Sequence, residues 1–155
     1  MITPLQHSRE VAPGIFQVRL PLPFALNHVN CYLLRDDEGW TLLDSGLDQP
    51  DIRRAWQEAL EELGIEPVQI RQIVLTHMHP DHFGLSGYFQ ALTAAPVCLS
   101  PRERELAQMV WIDDLWRPEL NADYWRAGGI PLAVRSVISE QTRHLREMTM
   151  PHPHA

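Results

Sequence analysis

Cysteine is scarce in this chain, with Cys31 and Cys98 the two examples in 155 residues. They allow at most one disulfide, which excludes a disulfide-stapled scaffold. Both lie in apolar, strand-like segments (Asn30-Cys31-Tyr32-Leu33 and Val97-Cys98-Leu99), so two buried, reduced thiols are expected. No apolar run approaches the ~20 residues that span a bilayer, and the start, Met-Ile-Thr-Pro-Leu-Gln, has no basic stretch leading into an apolar one. The expectation is a soluble, cytoplasmic protein with no membrane partner. Positive charge is also in deficit, with 13 Lys and Arg against 20 Asp and Glu, a net −7 with neutral His. A surface of that sign repels a phosphate backbone, so nucleic acid is not an expected partner. Repeats and low-complexity segments are absent, and residues 1–155 read as a single domain. What the chain has in quantity is proline, 13 residues, and histidine, 8 residues.

From Gly14 to Asp44 the sequence reads as strands: Ile15–Leu20, Val29–Arg35 and Trp40–Asp44, the last two joined by a polar turn at Asp36-Asp37-Glu38-Gly39. Ile52, Ala55, Trp56, Ala59, Leu60 and Leu63 then recur every three or four positions, which puts them on one face of a helix closed by Gly64. A β-branched strand over Ile70–Thr76, a helix from about Asp81 to Ala94 and a short strand at Val97–Leu99 follow. Ser100-Pro101-Arg102-Glu103 combines a capping box with proline at the first helical position. Beyond it the chain reads as helical to about Met148, with breaks near Pro118 and at Gly128-Gly129-Ile130-Pro131. The organisation is therefore a β-rich α/β core over 15–99 and a helical, lid-like segment over 100–148. Strands first and alternating strands and helices afterwards predict a mixed sheet covered by helices. The tail Met150-Pro151-His152-Pro153-His154-Ala155 lacks a cap and apolar periodicity, and it reads as a frayed cut end.

The segment that carries chemistry is His77-Met78-His79-Pro80-Asp81-His82, directly after the Ile70–Thr76 strand. Three His and one Asp in this arrangement arise by chance roughly once in a thousand chains of this composition. Residues two apart on extended backbone point the same way, so His77 and His79 can reach one ion together. Neutral imidazole suits Zn²⁺. Pro80 restricts the turn that follows and aims Asp81 and His82, in the first turn of the next helix, at the same place. Four ligands then converge, enough to begin two adjacent metal sites whose shared water would have its pKa lowered toward ~7.

These residues resemble the His-x-His-x-Asp-His signature of the metallo-β-lactamase superfamily, which includes the glyoxalase II-like thioester hydrolases. Val29-Asn30-Cys31-Tyr32-Leu33-Leu34 is similar to the family's early Asn-x-Tyr strand, and Leu42-Leu43-Asp44-Ser45-Gly46 to its Leu-x-Asp-Thr-Gly turn, with Ser for Thr. The resemblance implies that His77 and His79 bind a first metal and Asp81 and His82 a second, and that Asp81 also orients the attacking water. It implies two Zn²⁺ ions in the complete site, with iron or manganese as alternatives. Asp44 corresponds to a carboxylate that steadies the site through hydrogen bonds without being a ligand. The family's later ligands, including a Gly-His-x-x-Gly-His-like motif, have no counterpart here. The resemblance therefore implies that the chain is the N-terminal half of an αββα sandwich, with two ligands per metal where catalytic zinc usually has three.

Other polar and aromatic residues have plainer readings. His152 and His154 are candidates to replace missing ligands, but a terminal Pro-flanked pair is more often frayed and stays outside the metal set. His28 precedes a strand and reads as a loop surface residue, while His7 and His144 read as solvent-facing. Trp111, Trp116, Tyr124 and Trp125 fall in the helical segment; the resemblance implies an acyl-pocket lid, and core packing or an exposed apolar face is the preferred alternative. Ser45 and Ser86 have no base placed for them as nucleophiles. The resulting expectation is a metal-dependent hydrolase that sends a metal-bound hydroxide against a small ester, thioester, lactone or amide, with a small acyl thioester favoured. The rival is a non-catalytic metal-binding or apo fragment stabilised as a homodimer through its exposed half-sheet.

Overall fold

The computed structural model describes residues 7–23, 25–115 and 121–154. Four strands, β1 (Ser8–Ala12), β2 (Ile15–Pro21), β3 (His28–Arg35) and β4 (Trp40–Leu43), form an antiparallel meander. Two more, β5 (Ile70–Val74) and β6 (Val97–Cys98), extend the sheet in parallel, so that the strand order is β1-β2-β3-β4-β5-β6. Parallel neighbours require crossovers. Helix α1 (Pro50–Leu63) provides the first, and α2 (Pro80–Phe83) with α3 (Ser86–Thr93) the second. A helical segment follows, made of α4 (Pro101–Ala107), a π-helical turn over Gln108–Ile112, α5 (Ala122–Ala127) and α6 (Leu132–Glu147). This is the α/β mixed sheet with helices that the sequence predicts.

Pairing register decides which residues share a face. Val18 lies opposite Cys31, Leu20 opposite Val29, Leu33 opposite Leu42, and Leu42 opposite Ile73. All of these are buried. They form the floor on which α1 rests through Ile52, Ala55, Trp56, Ala59 and Leu60. The predicted face of α1 is therefore correct, with Leu63 at its end half-buried and packed against the same core. Trp56 meets Phe89 of α3 edge-on, with ring centroids 5.2 Å apart, and ties the two crossover helices over one core. The alternate residues Leu34, Leu43 and Val74 point to the opposite face and are half-buried.

Several boundaries differ from expectation, each for a physical reason. Strand β1 escapes the sequence pattern because Arg9 and Glu10 hide its alternation; as an edge strand it needs only one paired side. The Ile70–Thr76 strand ends at Val74, because the next residues turn into the histidine loop. The helix expected over Asp81–Ala94 is broken at Gly84-Leu85: the Leu85 N–H donates to the Gly46 carbonyl (2.9 Å), outside the helix. Gly84 permits that approach, since a Cβ there would meet the carbonyls of Gly46, Pro80 and Met148 at 2.6, 2.6 and 2.7 Å.

Only half of the capping box at Ser100 forms. Ser100 Oγ accepts the Glu103 N–H at 3.2 Å, while the Glu103 carboxylate is turned to the Met78 N–H at 2.8 Å. Cys31 and Cys98 are both free, but Cys98 is half-buried.

The tail is not frayed. Met148 and Thr149 are buried, and the Asp48 N–H donates to the Met148 carbonyl. The His154 N–H and carbonyl are both bonded to the Gln90 side chain. Gly87 makes room, because a Cβ there would collide with the Pro151 carbonyl. Trp116 and Pro118 lie outside the described residues. Among the described residues no helix is long and apolar enough to cross a membrane.

Candidate functional site

Strands β4 and β5 run in parallel, so the residues that follow them emerge at one edge of the sheet, where loops commonly gather ligand-binding groups. Asp44 follows β4 in a left-handed conformation (φ 59°), uncommon outside glycine but tolerated by Asp. Thr76, His77 and His79 follow β5, and Asp81 and His82 occupy the short helix α2 that begins at Pro80. The Leu-Leu-Asp-Ser turn and the histidine loop thereby meet.

Asp44 is the hub. It is 4% exposed and accepts three donors. The Thr76 N–H donates to Oδ1 at 2.8 Å, the Thr76 hydroxyl lies 3.0 and 2.8 Å from Oδ1 and Oδ2, and His82 Nδ1 lies 2.8 Å from Oδ2. A carboxylate only accepts, so His82 Nδ1 carries its proton toward Asp44 and Nε2 is left facing Asp81 Oδ2 at 3.5 Å. The Thr76 hydroxyl has one proton, given to Asp44, and therefore accepts from His77 Nδ1 at 3.0 Å. That makes His77 Nε2 the acceptor of a hydrogen bond from His79 Nδ1 at 3.0 Å. One buried carboxylate thus sets the tautomers of two histidines, directly and through a hydroxyl, the arrangement that orients histidine ligands in metal sites.

The electrostatics follow from this network. Burial alone raises the Asp44 carboxyl, but hydrogen bonds from His82 and Thr76 outweigh it and hold the group below the usual carboxylate range. Burial pulls His82 down, and its bond to Asp44, with the charges of Asp44 and Asp81, raises it overall. His77 is lowered, first by burial and then by its neighbours His82 and His79. The Cys31 thiol, fully buried near Asp44 and Asp81, is pushed well up and stays neutral.

The four expected donors are brought together as two pairs. His77 with His79 is one, with ring centroids 4.6 Å apart, and Asp81 with His82 is the other; the His77 and His82 rings, at 4.2 Å, bring the pairs side by side. Among the described residues no three His, Cys, Asp or Glu side chains surround a common point in the manner of a finished metal cage. In donor chemistry the set still suits a divalent cation: three imidazoles beside a carboxylate, with His77 Nε2 and His82 Nε2 turned to His79 and Asp81 within their pairs. His152 and His154 are held at α3, where His152 Nε2 lies 3.2 Å from Thr149 Oγ1 and the backbone of His154 bonds Gln90. His28 begins β3 and is engaged by Arg19 and Asn27. His7 is half-buried and paired with Glu58 at 3.1 Å, while His144 is exposed. Of the described aromatic residues in the helical segment, Tyr124 is exposed and Trp111 is buried.

Ser45 and Ser86 are both fully buried, which excludes attack on a substrate from where they stand. Ser45 instead donates its N–H and its hydroxyl to the His82 carbonyl, each at 2.8 Å, and its own carbonyl accepts the Trp56 indole N–H at 2.7 Å. Sequence reasoning missed Thr76, Glu103 and Trp111 as neighbours of the site. For Thr76 its place directly before the first histidine was a usable signal; for the other two no local signal existed.

The site is thus a His-rich loop that meets a buried carboxylate where β4 and β5 end, on a mixed sheet covered by helices. Residues 25–155 match the sequence family described as the metallo-beta-lactamase superfamily. The chain belongs to that family. A crystal structure of a metallo-beta-lactamase family protein of Thermus thermophilus, TTHA1429, superposes with a TM-score of 0.80 and 32% identity, over 94% of this chain and 46% of that one. A probable metallo-hydrolase of Bacillus subtilis (strain 168), YqjP, is 40% identical over 75 residues, 48% of this chain and 23% of its own length. A hydroxyacylglutathione hydrolase of Albidiferax ferrireducens is 35% identical over 85 residues, 54% of this chain and 29% of its own length. The chain spans less than half the length of each of these relatives.

Proposed function

We propose that residues 1–155 carry the ligand-bearing part of a metal-dependent hydrolase acting on a small acyl substrate: an ester, thioester, lactone or amide. The observation that carries this reading is the Asp44 hub, which presents the Nε2 atoms of His77 and His82 beside His79 and Asp81. His77 and His79 would hold a first divalent cation, and Asp81 and His82 a second, with zinc favoured by the imidazole donors and iron or manganese as alternatives. Bound cations would supply Lewis acidity and a water ionised at neutral pH. Asp81, half-buried beside His82, would orient such a water by accepting a hydrogen bond from it. Asp44 is tied up by Thr76 and His82 and keeps the imidazoles in place without being a ligand. A thioester is favoured among the substrates because the hydroxyacylglutathione hydrolase shares the matched region. Two free thiols favour a reducing compartment such as the cytoplasm.

The test is to add Zn²⁺ to the full chain and follow hydrolysis of a generic thioester and a lactone. Turnover with zinc that falls on the order of 100-fold in His79→Ala supports the reading; zinc binding without turnover on any acyl substrate overturns it as an enzyme. A second reading is a non-catalytic metal-binding or apo fragment that self-associates, favoured by the half-buried Leu34, Leu43 and Val74 on the second face of the sheet. Absent turnover together with a stable dimer in sedimentation would support it.

A further inference from the structure

The backbone of Met78, the residue between His77 and His79, is held from outside the loop at both of its polar atoms. Its N–H donates to the Glu103 carboxylate at 2.8 Å, and its carbonyl accepts the Trp111 indole N–H at 2.7 Å. Neither contact follows from helix formation. Glu103 stands in the first turn of α4, where its carboxylate would ordinarily reach back to the N-cap; here it reaches 25 residues away. Trp111 lies on the π-helical turn Gln108–Ile112, a rare geometry often found near functional sites, which closes with the Asp113 N–H donating to the Gln108 carbonyl at 2.8 Å. Trp111 is 5% exposed, and its own carbonyl accepts from Arg146 Nε of α6 at 2.7 Å. Trp111 is therefore held at its backbone by α6 while its indole reaches Met78.

We propose that Glu103 and Trp111 are positioning residues for the His77–Met78–His79 segment. Fixing the peptide groups on both sides of Met78 fixes the direction in which the two flanking imidazoles leave the backbone. The helical segment 100–148 then acts on the loop as a brace. This inference rests on the proposed metal role of His77 and His79 and names residues that support it. Outer groups that orient ligands typically change metal affinity about 10–100-fold when removed.

The experiment is a Zn²⁺ titration of the full chain against a chromophoric chelator, for wild type, Trp111→Phe, Glu103→Ala, Glu103→Gln and the control Trp125→Phe. Far-UV circular dichroism confirms folding, and hydrogen exchange at the Met78 amide is followed without metal. The expected result is about tenfold weaker binding in Trp111→Phe and Glu103→Ala, and faster Met78 exchange in Glu103→Ala. Glu103→Gln, whose amide oxygen still accepts, should restore both, and Trp125→Phe should match wild type. Equal affinity in all variants, with zinc bound by wild type, overturns the brace and leaves the proposed function standing. So does equal loss in Glu103→Gln and Glu103→Ala. No zinc binding by wild type overturns both.

Discussion

At the scale of single residues, the site depends on one carboxylate. Asp44 is almost fully buried, yet each of its oxygens has a donor, which turns an unfavourable burial into a favourable network. Asp44→Asn is expected to cost about 1–3 kcal/mol, because it leaves charged hydrogen bonds unmade in the interior. The pH dependence has two limbs. Asp44 has a lowered pKa in the folded state, so its contribution is present above the ordinary Asp value of about 4 and is lost as pH falls through the folded value. His82 has a raised pKa, so its contribution is complete below about 6.5 and is lost as pH rises through the folded value. The pair is therefore most stabilising between roughly pH 4 and 6.5. Urea midpoints measured from about pH 3 to 8 in the presence of a chelator should show both limbs in wild type and a flatter profile in Asp44→Asn.

At the scale of elements, α2 is too short to hold its own orientation and is held by what surrounds it. Its His82 carbonyl accepts from Ser45, and Gly84 lets the Gly46 and Met148 carbonyls approach. Trp56 anchors Ser45 from α1, so the predicted buried face of that helix also supports the site. Trp56→Phe keeps most of the packing and removes the indole N–H; a loss of about 1–3 kcal/mol is expected from the unsatisfied Ser45 carbonyl, read from denaturant midpoints. The closing segment Met148–His154 is packed against α3 through Gly87. Gly87→Ala is expected to lower stability by about 1–3 kcal/mol and to expose residues 149–154 to limited proteolysis, since the Pro151 carbonyl must move away. Unchanged cleavage in that variant would show that the segment is not held there.

At the scale of the whole molecule, one face of the sheet carries the helices and core while Leu34, Leu43 and Val74 on the other are only half-buried. The donor pairs sit at the edge where β4 and β5 end, so a cation bound there would link the meander, the crossover helices and, through Met78, the helical segment. Binding to the folded state alone stabilises it by mass action, about 2.7 kcal/mol at about 100 times the dissociation constant. Zinc is therefore expected to raise the melting temperature, and excess chelator to reverse the rise, with His77→Ala insensitive to both.

The sequence by itself determined the strands β2 to β4, the buried face of α1, the break before Leu132 and the cluster His77–His82. These rest on period, turn chemistry and residue type, which are local properties. The resemblance carried by Asp44 and the histidine motif also gave the family. Only the tertiary structure decided what each polar group touches. A capping glutamate was turned to the Met78 amide, a Ser of the Asp44 turn became a support for His82, and a tail that reads as loose lies in a groove made by glycines. Those outcomes depend on residues 25 to 64 positions apart in sequence meeting in space, and neither periodicity nor propensity encodes a contact at that separation.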